Sequence, residues 1–104
     1  MDRGALLVRL RAKKGKESEV ERFLCEALPA VENELSTSVW HALRADPSTY
    51  LIFDTFPAED ARDMHLSGKV AKALEERSSE LFSEPPIIEK LDIVAVKMPD
   101  VVQY

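Results

Sequence analysis

Hydrophobic and polar residues alternate in four parts of the chain, and this alternation is typical of half-buried β-strands. In the first part, Leu6 and Val8 fall on one side of the predicted strand and Arg9 on the other. Asp46 and Pro47 stand between the second and third parts and are typical of a tight turn, so these two strands are predicted to form a hairpin. The four predicted strands cover residues 5–12, 37–44, 49–56 and 87–97.

Between these strands the apolar residues recur at helical spacing instead. One apolar stripe covers residues 17–35 and begins with acidic residues, which the helix dipole favours. Pro29 lies inside it and is expected either to bend the helix or to begin a new first turn. A short helix is predicted from Pro57 to about Ser67, followed by a second that ends before Pro85. The order β-α-β-β-α-β predicts an α+β, ferredoxin-like fold, with an antiparallel sheet and helices on one face.

Length and composition are those of one modest domain spanning residues 1–104. A net charge of −5 argues against binding to nucleic acid or to an anionic membrane, and no apolar run is long enough to cross a bilayer. The single cysteine, Cys25, cannot form an internal disulfide, and no signal peptide is recognisable. We therefore expect a cytoplasmic location.

The face of the sheet away from the helices should be polar in a monomer, but it is predicted to be apolar here. If Trp40 pairs with Asp54 across the hairpin, the opposite face carries His41 together with several aliphatic and aromatic side chains. Such a patch normally marks an interface. The pattern predicts a homodimer packed sheet against sheet, with the tail at 98–104 free to cross to the partner. The alternative is a monomer whose tail folds back over its own sheet.

Few side chains in this composition can carry chemistry, and His65 is the best candidate for a catalytic base because it titrates near neutrality. The alternative is a histidine that caps a helix end or faces solvent. Asp54 is a carboxylate in the middle of an apolar strand and needs a partner. It is expected to pair with Arg9 or Arg11, to orient His65, or to bind a substrate hydroxyl; pairing with an arginine is the simplest of the three.

Four further residues are candidates for substrate binding. Trp40 would form a cavity wall that stacks on a flat ligand, although a place in the core is the safer interpretation, and Phe56 would form another wall. Tyr50 and Arg44 flank the hairpin turn, where they would close a cavity mouth or form a solvated rim. No metal site is expected: His41 lies on the opposite strand face from Trp40 and Asp54, and the chain has no metal-ligand spacing.

Nearly the whole chain resembles the antibiotic biosynthesis monooxygenase family. The similarity lies in "VRLRAKKGKE" of the first strand and turn, "IFDTFP" of the third strand, and "HLSGKVAKAL", which begins at His65. "TSVWHALRADPSTY", with Trp40, is similar to a subgroup named as quinol monooxygenases. The resemblance implies a dimeric α+β barrel with a cavity between helices and sheet in each protomer.

The resemblance also implies an activity: cofactor-independent oxygenation of a small phenolic, quinol or polyketide-like aromatic substrate by O₂. His65 would be the base and Asp54 its partner. The haem-degrading branch of the family uses an Asn, a Trp and a His, where this chain has Val8, His65 and Glu75, so no haem is expected. The alternatives on this fold are a dimeric ligand-binding or structural protein without catalysis and an isomerase that needs no O₂.

Overall fold

Four antiparallel strands and three helices make up the computed structural model, which describes residues 2–98. The elements are β1 (Gly4–Arg11), α1 (Glu17–Glu32), β2 (Val39–Asp46), β3 (Thr49–Phe56), α2 (Glu59–Leu66), α3 (Lys69–Leu81) and β4 (Ile87–Asp92). The strands lie in the order β2-β3-β1-β4. This confirms the predicted α+β, ferredoxin-like arrangement, in which the second crossover consists of two helices.

The pairing of strands places one row of side chains across the sheet beneath the helices. Trp40 on β2 pairs with Asp54 on β3, as the hairpin pattern predicted, and Asp54 in turn pairs with Leu6 on β1. Because residues that pair directly across neighbouring strands point to the same side of the sheet, these three residues project from the same face. The register therefore places a carboxylate and an indole together on the helix-covered side.

The core lies between this face of the sheet and the three helices. Its two clusters bury aliphatic and aromatic residues of both the sheet and the helices, and residues such as Leu10 and Leu81 are fully buried. Each such leucine contributes about 2 kcal/mol through removal of its side chain from water. The smaller cluster joins Leu6, Phe56 and Ala61 and packs α2 onto the end of β3. This packing positions the helix that carries His65.

Several boundaries differ from those predicted. Helix α1 continues through Pro29 without a break but ends at Glu32, so that Leu35 is almost fully exposed. Strand β2 begins at Val39 instead of at Thr37. Strand β4 ends at Asp92 instead of at residue 97, because it pairs with β1, whose paired segment begins at Gly4.

The sheet face opposite the helices is open and largely apolar, as predicted. Leu43, Ile87 and Leu91 are between 37% and 46% exposed, and they surround half-buried Leu51 and Phe53. The tail that was predicted to cross to a partner lies outside the described residues from position 99 onward. Within residues 2–98, none of the helices has the length and apolar character needed to cross a membrane.

Candidate functional site

A cavity of about 350 Å³ lies between the sheet and helices α2 and α3. Its walls are mainly aliphatic, with Leu6, Val8 and Ile52 from the sheet and Leu74 from α3. Further lining comes from Pro85, Pro86 and Ile88, which follow α3 and begin β4. An enclosure of this size and character suits a small flat organic molecule.

Two polar groups from the sheet face this cavity without hydrogen-bond partners among the described residues. Asp54 is only 1% exposed, and neither of its carboxylate oxygens is hydrogen bonded. The indole Nε1 of Trp40, its cross-strand neighbour, is also buried without an acceptor. Buried polar groups are nearly always paired, so an unpaired acceptor beside an unpaired donor indicates a place for a polar ligand.

His65 approaches Asp54 from the last turn of α2. Its Nε2 lies 2.9 Å from Oδ2 of Asp54, at ion-pair distance but without the alignment of a hydrogen bond. The imidazole packs against Phe56, with ring centroids 5.2 Å apart and ring planes inclined by 48°. Only 8% of the His65 side chain is exposed. The position in the last helical turn also favours a positive charge on the ring.

The other ring nitrogen of His65 meets a second carboxylate. Nδ1 lies 2.6 Å from Oε2 of Glu34, in the segment between α1 and β2. The hydroxyl of Thr37 donates to the same Glu34 oxygen at 3.1 Å and lies 3.4 Å from Nδ1. His65 is thus held between two carboxylates, one inside the cavity and one on its outer side.

The two carboxylates decide the charge of His65. Burial by itself lowers the pKa of the imidazole, because the charged form loses its hydration. The contact and negative charge of Asp54, followed by those of Glu34, outweigh burial, so the pKa of His65 is raised above its ordinary value. The arrangement therefore favours the imidazolium, which has no free nitrogen to accept a proton.

Among solved structures, the chain is similar to a Nitrosomonas europaea protein of unknown function, with 44% sequence identity and a TM-score of 0.93. The alignment covers 97% of this chain and 98% of that one. The chain belongs to the family of this Nitrosomonas protein. No protein-family model matches the chain, and neither does any curated protein sequence.

More distant structures identify the fold of this family. A Caulobacter crescentus protein provisionally assigned as an antibiotic biosynthesis monooxygenase superposes with a TM-score of 0.77 at 22% identity, over 90% of this chain and 92% of its own. A second Nitrosomonas europaea protein with the same provisional assignment superposes with a TM-score of 0.78 at 11% identity, over 88% and 90% of the two chains. The predicted resemblance to the antibiotic biosynthesis monooxygenase family is confirmed at the level of the fold.

Of the four residues predicted to bind substrate, Trp40 lines the cavity and the other three do not. Phe56 is completely buried and acts through its contact with His65. Tyr50 and Arg44 lie together at the other end of β3, where the Tyr50 hydroxyl donates to the Glu17 carbonyl at 3.3 Å and Arg44 pairs with Glu21 at 3.4 Å. Tyr50 precedes Asp54 by four positions along an extended strand, which separates their backbones by about 13 Å.

The simplest expectation for Asp54, an ion pair with Arg9 or Arg11, is wrong. Arg9 is exposed and lies opposite Leu51, on the open face of the sheet, whereas Arg11 pairs with Glu84 at 3.6 Å. Strand alternation separates these arginines from Asp54. His41 is also on the open face, and within residues 2–98 no group of three metal-ligating side chains has the geometry to hold a metal ion.

The sequence pattern does not identify Glu34 or Thr37 as residues of the site. They lie in a short connecting segment, where no periodicity shows which side chains turn inward. Glu34 is also 31 residues from His65 along the chain. The one available signal was weak: a buried imidazole beside one carboxylate commonly has a second partner on its other nitrogen.

Proposed function

We propose that this protein is a monooxygenase that binds a small phenol or quinol in the cavity and oxidises it with O₂, without a bound cofactor. The observation that carries the proposal is the buried carboxylate of Asp54 at the polar end of a largely apolar cavity, ion-paired with His65 through Oδ2 but without a partner at Oδ1 among the described residues. A flat aromatic ring would be held by the aliphatic walls, and its hydroxyl would donate to Asp54. The fold shared with the antibiotic biosynthesis monooxygenases supports the reaction class.

In this proposal Asp54 accepts the proton of the substrate hydroxyl. His65 was the expected base, but its raised pKa and the carboxylates on both nitrogens favour the imidazolium, which cannot accept. The imidazolium instead offsets the negative charge that develops on the substrate oxygen. The Nε1–H group of Trp40, on the neighbouring strand, is available to donate to the same oxygen.

The phenolate then supplies the electrons for oxygen chemistry. One electron passes to O₂, and the resulting superoxide joins the substrate radical to form a C–O bond at an activated ring carbon. Cleavage of the O–O bond leaves one oxygen atom as a new carbonyl and releases the other as water. Two hydrogens of the substrate end in that water, so no external reductant is needed. The protein contributes by orienting the substrate, surrounding it with mainly apolar side chains and transferring protons.

The open sheet face supports the proposal of a homodimer. Its exposed apolar residues are Leu43, Ile87 and Leu91, and the half-buried Phe53 lies near their centre. A contiguous apolar surface of this kind is costly in water, and twofold pairing of identical faces removes it. The apolar residues after β4, including Val94 and Val96, are exposed and would add to such an interface.

Oxygen uptake tests the proposed function directly. The protein is incubated with a panel of dihydroxynaphthalenes and other quinols in an oxygen electrode, with boiled protein as the control for spontaneous oxidation. Under oxygen-18 gas, the product should gain one labelled oxygen atom. Conversion that continues without O₂ would identify an isomerase, and binding without conversion would identify a ligand-binding protein.

A further inference from the structure

His65 forms a wall between two separate spaces. On its Nε2 side lies the cavity with Asp54, and on its Nδ1 side lies a wider, more open groove of about 600 Å³. Glu34 and Lys69 line the groove together with Leu35 and Met64, two apolar residues that are well exposed. A single imidazole thus faces the proposed substrate cavity on one side and an open groove on the other.

Exposure increases in steps from the cavity to this groove. The side chains of Asp54, His65 and Glu34 are 1%, 8% and 22% exposed, respectively. The 2.6 Å contact between Glu34 and Nδ1 is short enough for proton transfer, and the 2.9 Å ion pair couples the charge of Asp54 to the same imidazole. Within the described chain, this series connects the buried carboxylate to the groove without crossing the cavity.

We propose that Asp54, His65 and Glu34 form a relay that exchanges protons between the cavity and solvent in the outer groove. Its use during turnover rests on the proposed function, but its existence does not. The relay makes Glu34 a positioning residue that acts through His65. It allows the site to release and take up a proton while a substrate fills the cavity and blocks water from that side.

The relay balances over a complete reaction. In the outward direction, Asp54 accepts the substrate proton while the imidazolium releases its Nδ1 proton to Glu34 and then to water, which leaves a neutral imidazole protonated at Nε2. In the inward direction, Asp54 gives its proton to the departing oxygen, and Glu34 returns a proton to Nδ1. One passage in each direction restores the starting imidazolium, which suits a reaction that removes a proton from the substrate and later protonates the departing oxygen.

Few other charged groups face this histidine. Helix α3 brings Lys69 to the groove and Glu75 to the cavity, and neither contacts the imidazole among the hydrogen bonds and ion pairs of the described residues. Strand β1 contributes only aliphatic side chains to the cavity, and the guanidinium of Arg62 on α2 instead donates to the Leu91 carbonyl at 3.2 Å. Glu34 is therefore the one carboxylate through which the relay reaches the groove.

Exchange of the His65 Nδ1 proton with water tests the relay without any substrate. It is measured by NMR on ¹⁵N-labelled protein, in which exposed His41 serves as the internal reference. Replacing Glu34 by Gln keeps the shape but removes the proton acceptor, so exchange at Nδ1 should slow by roughly tenfold or more. The matched control is Glu32→Gln, which removes an exposed carboxylate from the end of α1, two residues before Glu34, and should leave the rate unchanged.

Equal exchange rates in Glu34→Gln and the unmodified protein would overturn the relay, whatever the oxygen-uptake assay shows. Circular dichroism establishes that the variant is folded. If Glu34→Gln does not fold, Glu34→Asp replaces it: the shorter side chain withdraws the carboxylate from Nδ1, so exchange should slow severalfold. An unchanged rate in that variant would likewise exclude passage through Glu34.

Discussion

His65 and Asp54 approach to 2.9 Å in a part of the molecule that is nearly inaccessible to solvent. Each would be costly to bury as an isolated charge, and the ion pair offsets part of that cost. Among the described residues, Oδ1 of Asp54 still has no partner. If the carboxylate served only stability, both of its oxygens would be expected to have hydrogen-bond partners. The unsatisfied oxygen of Asp54 therefore points to ligand binding.

Replacing Asp54 by Asn should abolish most of the proposed activity. The amide keeps the size of the side chain but cannot accept the substrate proton, so kcat/KM should fall by about 100-fold or more. Oxygen uptake with the best quinol of the panel measures the effect. The control is Asp63→Asn, which alters an exposed aspartate that pairs with Lys90 at 3.6 Å on the surface. A variant at Asp54 that retained most of its activity would exclude this residue as the acceptor.

Removing the imidazole should destabilise the protein. His65→Ala leaves Asp54 and Glu34 facing each other without the cation between them, which should lower the free energy of unfolding by about 3 kcal/mol at pH 7. Urea denaturation at one protein concentration measures this loss. Met64→Ala, an exposed change on the same helix, should cost under about 0.5 kcal/mol. If His65→Ala unfolds at the same urea concentration as the unmodified protein, the ion pairs add nothing to stability.

Stability should fall as pH rises above neutrality. The pKa of His65 is raised in the folded protein, whereas in the unfolded chain it is about 6.5. Folding therefore favours the protonated ring, and this contribution is complete below pH ~6.5 and is lost as pH rises through the folded pKa. Urea denaturation between pH 6 and pH 9 measures the slope, which Glu34→Gln should reduce. An NMR titration in which His65 deprotonates below pH ~6.5 would contradict the prediction.

The single tryptophan of the chain should report occupation of the cavity. Trp40 lines it, so 1,4-naphthoquinone, a quinone that does not fluoresce, should quench its emission saturably. Ala71→Phe places a larger side chain in the cavity and should weaken this binding severalfold. Lys72→Phe adds the same ring at the next, exposed position and serves as the control. Equal quenching in both variants would place the ligand elsewhere.

Light scattering should give a mass in solution of twice the 11.7 kDa of the chain. Phe53→Glu introduces a charge near the centre of the open sheet face and should produce monomers, because a charge cannot be buried there without a partner. Leu28→Glu changes an exposed apolar residue on α1 and should leave the mass unchanged. A monomeric mass for the unmodified protein at micromolar concentration would refute the dimer.

The sequence by itself determined the order of the elements and much of the sheet register. Alternation specifies the two faces of each strand, and the turn at Asp46–Pro47 sets which residues of β2 and β3 pair, so the meeting of Trp40 with Asp54 was predictable. The separation of Arg9 from Asp54 follows from the same alternation once β1 and β3 are known to be neighbours. These features depend on local periodicity, which one-dimensional patterns carry.

Only the tertiary structure decided how the site is completed. Glu34 reaches His65 across 31 residues because the segment after α1 passes beside the last turn of α2, and no repeat in the sequence reports that contact. The same contact, together with Asp54, turned His65 from an expected base into a cation held between two carboxylates. Tyr50 and Arg44 had suitable chemistry but lie at the far end of an extended strand. Residue type suggests what a side chain can do, whereas its neighbours in space determine its charge and what it can reach.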